Sequence, residues 1–198
     1  PNGGFWFINK SGSNQLGGVQ FGANGDLIAP GDYDGDRKTD YAVFRPNGGF
    51  WFILHSGSGG FVGAQFGANG DVPTPGDFDG DGKYDIAVYR PSTGTWFRLD
   101  SSNGQFVGVN FGLSIDKPVP GDYDGDGKTD IAVWRPTDGV WYLLRSTAGF
   151  GAAQFGANGD RPAPGDYDGD GKADLAVYRD GVWYLLQSQN GFTGVQFG

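Results

Sequence analysis

A Gly-Asp pair opens an acidic segment four times, at Gly31, Gly76, Gly121 and Gly165, and the spacings of 45, 45 and 44 residues constrain the fold more than any other feature. A period of that length is one supersecondary unit repeated along the chain. Tryptophans keep the same register at Trp6, Trp51, Trp96, Trp141 and Trp183, as do the phenylalanines of Phe-Gly pairs at Phe21, Phe66, Phe111, Phe155 and Phe197. Five copies of one half-repeat therefore alternate with four of the other.

The repeat from Leu113 to Gly156 shows the local grammar. A short strand runs into Pro120-Gly121, an acidic loop spans Asp122 to Asp130, and Ile131-Ala132-Val133-Trp134-Arg135 follows. The turn Pro136-Thr137-Asp138-Gly139 leads to Val140-Trp141-Tyr142-Leu143-Leu144, and a turn from Ser146 to Gly149 leads to a strand ending Gln154-Phe155-Gly156. Proline, glycine and aspartate at these places are turn chemistry, so four strands, A to D, are expected per repeat. Trp141 and Leu143 point to one side of their strand, and Tyr142 and Leu144 to the other. Both sides are apolar, which predicts sheets covered on both faces, as in stacked propeller blades. The expected fold is an all-β propeller of four-stranded antiparallel blades, with a half blade at 1–22 and repeats at 23–67, 68–112, 113–156 and 157–198, all in one domain. The half blade supplies strands C and D without a strand B beside them, which leaves open a closed five-position ring, a fragment of a larger propeller or an open array.

All 23 acidic residues are Asp, and Asp favours turns and metal loops over helix. A net charge of −9 without a basic stripe argues against nucleic acid. No apolar run reaches the roughly 18 residues of a membrane span, so no membrane insertion is expected. The N-terminus lacks a basic and apolar signal segment, and a processed or excised chain is expected. With no Cys, neither a disulfide framework nor a thiolate metal site is available.

The repeated chemistry is Asp-x-Asp-Gly-Asp-Gly-Lys-x-Asp, with carboxylates at Asp32, Asp34, Asp36 and Asp40; Asp77, Asp79, Asp81 and Asp85; Asp122, Asp124, Asp126 and Asp130; and Asp166, Asp168, Asp170 and Asp174. Spacing of two in a tight loop turns the first three carboxylates toward a common centre, and glycine at the sixth position permits a sharp reversal. The main-chain carbonyl of the seventh residue, Lys38, Lys83, Lys128 or Lys172, is expected to face inward, and the ninth Asp closes the shell. An all-oxygen set with room for water suits Ca²⁺, about four ions in all, better than octahedral magnesium. Two carboxylates about 4 Å apart repel by about 4 kcal/mol at an effective dielectric near 20, so four together call for a cation. The first loop departs from the pattern because Arg37 stands where Gly82, Gly127 and Gly171 stand elsewhere. If that position takes a positive φ, a non-glycine residue costs on the order of 1 kcal/mol, and this site is expected to fill last.

These residues resemble the FG-GAP repeats of integrin α-subunit propellers and the related VCBS repeats of bacterial extracellular proteins. The pattern is carried by Phe21-Gly22 with Ala29-Pro30-Gly31, Phe66-Gly67 with Thr74-Pro75-Gly76, Phe111-Gly112 with Val119-Pro120-Gly121, and Phe155-Gly156 with Ala163-Pro164-Gly165. The resemblance implies a propeller with calcium in the loop between strands A and B, in extracellular or cell-surface proteins of adhesion, recognition or assembly.

The expected function is accordingly a calcium-stabilised, secreted structural or adhesive module, with a protein or glycan ligand left unidentified. Self-assembly into a polymer or filament and a lectin-like propeller are the alternatives. The varied turns Ser56 to Gly60, Ser101 to Gly104 and Ser188 to Gly191 suggest a binding rim. The tryptophans read as core rather than sugar platforms, since each lies inside an apolar strand. Arg45, Arg90, Arg135 and Arg179 read as structural partners of acidic groups, and Asp26, Asp71, Asp116 and Asp160 as turn formers or supports behind a metal shell. His55, the sole histidine, occupies a varied position expected to be exposed and is a poor general base. No Asp stands apart as a singular pocket residue, so no enzyme is expected. Asn9-Lys10-Ser11 matches a glycosylation sequon, a pattern short enough to arise by chance.

Overall fold

The computed structural model describes residues 4–10 and 13–197, so Ser11 of the sequon and Gly198 of the last repeat lie outside the described residues. The described chain is built of strands and turns alone, and no helix is long and apolar enough to cross a membrane. Strands β1 (Phe5–Lys10) and β2 (Gln15–Gln20) pair antiparallel as a two-stranded half blade. The first full blade is β3 (Leu27–Ile28), β4 (Tyr41–Arg45), β5 (Phe50–Leu54) and β6 (Phe61–Gln65). The second is β7 (Val72–Pro73), β8 (Ile86–Arg90), β9 (Thr95–Leu99) and β10 (Phe106–Asn110). The third is β11 (Lys117–Pro118), β12 (Ile131–Arg135), β13 (Val140–Arg145) and β14 (Gly149–Gln154). The fourth is β15 (Arg161–Pro162), β16 (Leu175–Arg179), β17 (Val182–Gln187) and β18 (Gly191–Gln196). Each blade is antiparallel in chain order, and the four are arranged as a four-bladed propeller after the half blade.

The first strand of each blade is only two residues long and lies at the sheet edge. In three blades its second residue is proline, which has no N–H to give to a ladder and is tolerated at an edge. The second and third strands are rich in β-branched and aromatic residues, which suit a pleated surface packed on both sides. Of the five repeat tryptophans expected in the core, Trp51, Trp96 and Trp141 are buried and Trp6 and Trp183 are half-buried.

The faces separate as the strand period demands. Trp141 and Leu143 pack with Leu175 and Val177 of the fourth blade. Tyr142 and Leu144 pack on the other side, with Phe78, Ala87 and Tyr89 of the second blade. A third cluster joins Phe44, Trp51 and Ile53 of the first blade to Val88 of the second. The half blade meets the first blade through the Trp6 ring, edge-on to Tyr41 at 5.8 Å.

Each blade also carries an internal ion pair. Arg45 holds Asp26 through Nε to Oδ1 at 2.8 Å and Nη2 to Oδ2 at 3.0 Å, and Arg90–Asp71, Arg135–Asp116 and Arg179–Asp160 repeat this fork. The same aspartates accept a main-chain N–H three residues upstream, as Ala23 N–H to Asp26 Oδ2, so they form the turn before the first strand as well. The guanidinium of Arg45 also covers the Phe52 ring, and that of Arg135 the Tyr142 ring. Within its own blade, the pair locks the entry of the first strand to the end of the second.

Candidate metal centres

The four acidic loops join the first and second strands of their blades. Each is closed at its neck by a bridge between the opening glycine and the ninth Asp: Gly31 with Asp40, Gly76 with Asp85, Gly121 with Asp130 and Gly165 with Asp174. Inside the neck the first Asp organises the turn. In the third loop Asp122 Oδ1 accepts from Gly125 N–H at 2.7 Å and Oδ2 from Gly127 N–H at 2.8 Å; Asp32, Asp77 and Asp166 repeat the pattern. Bonding of the sixth N–H back to the first carboxylate forces a positive φ at that residue, 86–88° at Gly127, Gly82 and Gly171. Arg37 is held at 64° in the same place, a region that costs a side-chain-bearing residue about 1 kcal/mol.

The ninth Asp is the pivot. Asp40, Asp85, Asp130 and Asp174 are at most 1% exposed, and each accepts two main-chain N–H groups. One comes from the loop's second residue, as Phe78 to Asp85 Oδ2 at 2.9 Å. The other comes from a serine in the turn between the third and fourth strands: Ser56, Ser101, Ser146 or Ser188, each at 2.7 Å. Burial pushes Asp85 up to about 6 against the two N–H bonds that oppose it, and Asp130 is raised for the same reason. Both have neighbouring aspartates that add to the rise, Asp79 for the former and Asp124 for the latter.

In the second, third and fourth loops the first, third and ninth carboxylates converge, with ligand oxygens within 4.8 Å of one another: Asp77, Asp79 and Asp85; Asp122, Asp124 and Asp130; Asp166, Asp168 and Asp174. The fifth Asp stands outside these groups. Asp81, Asp126 and Asp170 accept the N–H of Lys83, Lys128 and Lys172 and the hydroxyls of Ser101, Ser146 and Ser188. Those hydroxyls hold Asp126 and Asp170 below the ordinary carboxylate range. In the first loop two overlapping groups form instead, Asp32 with Asp34 and Asp36, and Asp34 with Asp40 and His55.

A cation fits the donor set. Three converging carboxylates offer hard oxygen in loops two to four. Asp124 Oδ1 and Asp168 Oδ1 are buried oxygens with no hydrogen-bond partner among the described residues, whereas buried acceptors are as a rule paired. A cation bound there would satisfy both.

Three features were not read from the sequence. The serines recur at 56, 101, 146 and 188, and that periodicity was the available signal. Two of the turns read as a varied rim lie against the acidic loops, as Ser102 N–H and hydroxyl on Asp79 Oδ2 and Gln189 and Asn190 N–H on Asp168 Oδ2 show. His55 is not exposed as expected: its side chain is 18% accessible and Nδ1 sits 3.3 Å from Asp34 Oδ2.

Successive loops are tied together. Tyr84 N–H donates to the carbonyl of Asp32 at 2.7 Å, Thr129 N–H to that of Asp77 at 2.6 Å, and Ala173 N–H to that of Asp122 at 2.5 Å. This approach requires the opening glycine, since a Cβ on Gly76 would lie 2.6 Å from Thr129.

Solved structures share the architecture. A catalytically inactive virginiamycin B lyase from Staphylococcus aureus with quinupristin superposes with TM-score 0.60 at 11% identity, covering 97% of this chain and 62% of that one. A streptogramin B lyase gives 0.59 at 10%, covering 93% and 59%, and BBS1N in complex with ARL6DN gives 0.54 at 12%, covering 96% and 55%. At these identities the likeness is one of fold, and the chain spans less than two thirds of each of these proteins. No curated protein matches it in sequence. The FG-GAP-like repeat profile matches residues 32–88, 77–133 and 122–177, each match running from one acidic loop into the second strand of the next blade. The chain belongs to the FG-GAP-like repeat family.

Proposed function

We propose that this propeller is a calcium-stabilised extracellular module with a structural and adhesive role, and that it is not an enzyme. The observation that carries the reading is the convergence of first, third and ninth aspartates in three successive loops, where Asp124 Oδ1 and Asp168 Oδ1 are buried with no partner among the described residues. Calcium would supply the positive charge that lets three carboxylates converge at one neck, where the ninth Asp is buried. Asp77, Asp79 and Asp85 would hold it in the second loop, Asp122, Asp124 and Asp130 in the third, and Asp166, Asp168 and Asp174 in the fourth. The first and ninth aspartates also anchor main-chain N–H groups, so they order the loop, and the serine contact carries that order to the turn opposite. Weak modules of this kind stay filled where calcium is abundant, which favours an extracellular setting. Thermal melting in millimolar calcium and in excess EGTA tests the reading; superimposable curves would remove it.

Self-association is the second reading, favoured by exposed Phe5, Phe7, Leu16 and Ile28 on and beside the half blade. Light scattering at several concentrations tests it, since a constant monomer mass would discard it. A glycan-binding propeller would have to use Phe61, Phe106, Phe150 and Phe192, which stand 61–65% exposed, one per blade, while Trp51, Trp96 and Trp141 are buried.

A further inference from the structure

We propose that the first acidic loop is a mixed nitrogen and oxygen centre, in which His55, Asp34 and Asp40 hold a zinc-class divalent cation in place of calcium. The inference rests on the reading of these loops as cation sites, and it assigns the first of them a different ion. Ligand atoms of His55, Asp34 and Asp40 lie within 4.8 Å of one another. Asp40 is buried and braced by Ser56 N–H at 2.7 Å and Tyr33 N–H at 3.0 Å, which leaves it fixed in place with further lone pairs to offer.

The equivalent residues in the other blades do not reach their loops in this way. Asp100 accepts from Arg98 Nε at 2.7 Å, and Arg145 Nε donates to the Gly149 carbonyl. The third carboxylates there are instead occupied by the facing turn. Asp79 Oδ2 accepts Ser102 N–H and hydroxyl, Asp124 Oδ2 accepts Thr147 and Ala148 N–H, and Asp168 Oδ2 accepts Gln189 and Asn190 N–H. In the first blade that turn carries glycine at 57, and among the described residues Asp34 Oδ2 meets the imidazole of His55 at 3.3 Å. One aromatic nitrogen has taken the place of main-chain donors.

Asp32, Asp34 and Asp36 converge in this loop as well, but cations within the turn compete for its oxygens. Lys38 Nζ holds Asp36 Oδ2 at 2.9 Å, and Arg37 adds a second positive charge within the turn. Calcium takes six to eight oxygens and gains little from imidazole. Zinc takes four ligands, readily including His nitrogen and Asp oxygen, so one nitrogen, two carboxylates and a water complete its tetrahedron.

Because His55 is the sole histidine, its imidazole resonances report on the site without any variant. The experiment loads the full chain with one equivalent of Zn²⁺ in millimolar Ca²⁺, dialyses it against the same calcium, and counts both metals by elemental analysis alongside the imidazole NMR shift. The expected result is one zinc retained per chain and a shifted imidazole. In His55→Gln, zinc affinity falls by roughly tenfold or more while the calcium count is unchanged. His55→Asp, which restores an all-oxygen set, loses zinc as well, and a calcium melt of each variant shows that it is folded. Zinc that washes out of the native chain, or that binds His55→Gln equally well, overturns the proposal. Asp124→Asn separates the two readings: it removes one calcium and leaves zinc in place. Absence of bound calcium with zinc retained through His55 would sink the calcium module and leave this centre standing.

Discussion

The first and third acidic loops share the same four-aspartate spacing and end in different states. In the third, Asp122, Asp124 and Asp130 converge, the turn opposite donates Thr147 and Ala148 N–H, and one Asp124 oxygen is buried without a partner among the described residues. In the first, Asp40 groups with His55, Arg37 sits in a left-handed conformation, and Lys38 turns back onto Asp36. The ligand aspartates are identical, so the difference comes from residues that are not aspartate: Arg37 in place of glycine, and a facing turn with His55 and Gly57. What such an acidic loop could hold is set as much by what faces it as by its own carboxylates.

Removing calcium should give the largest effect. A ligand at about 100 times its Kd contributes about 2.7 kcal/mol per site, and 1 kcal/mol moves the melting temperature of a chain this size by about 2–4 °C. Loss of three filled loops is therefore expected to lower it by on the order of 15–30 °C in EGTA, read by circular dichroism. Next comes Asp130→Ala set against Asp36→Ala. The first strands the buried N–H of Tyr123 and the half-buried N–H of Ser146 and is expected to cost about 2–4 kcal/mol in chemical denaturation, whereas the second touches an exposed carboxylate and costs under about 1 kcal/mol. Equal costs would break the idea that the ninth position is the pivot.

Arg37→Gly is expected to stabilise by about 1 kcal/mol through relief of the positive φ. Differential scanning calorimetry reads it, and a lower melting temperature would show that the guanidinium has a partner that outweighs the backbone cost. The smallest effect belongs to the ion pairs away from the loops. The guanidinium of Arg179 holds Asp160 below the ordinary carboxylate range, so its contribution is present above about pH 4 and is lost as pH falls through the lowered value. Arg179→Gln should lower stability at pH 7 more than at pH 3; a constant difference across that range would assign the loss to packing over Tyr184.

What the sequence made legible follows from periodicity. Trp141 and Leu143 facing one blade, and Tyr142 and Leu144 the other, could be read from strand alternation because a propeller blade is buried on both sides. The strain at Arg37 was visible because three glycines mark the same position. The Arg–Asp forks were half visible: each pair is 19 residues apart, a constant offset that could have named the partners, and the sequence reading named the roles alone. His55 was not legible, since nothing local shows that the turn after the third strand folds over the loop before the second. That contact is made across the blade, and a change of side chain in the turn reaches the acidic loop only once the sheet has formed.

The main-chain ties between loops carry a mechanical consequence. Asp32, Asp77 and Asp122 are gripped at both ends, the side chain by its own turn and the carbonyl by the amide of the following blade. Tension pulling one blade from the next would be borne at these residues, so an ion seated there would work as a rivet. Filling one loop would stiffen the hinge to its successor, and a propeller stripped of ions should peel blade by blade where a loaded one would rupture as a single body.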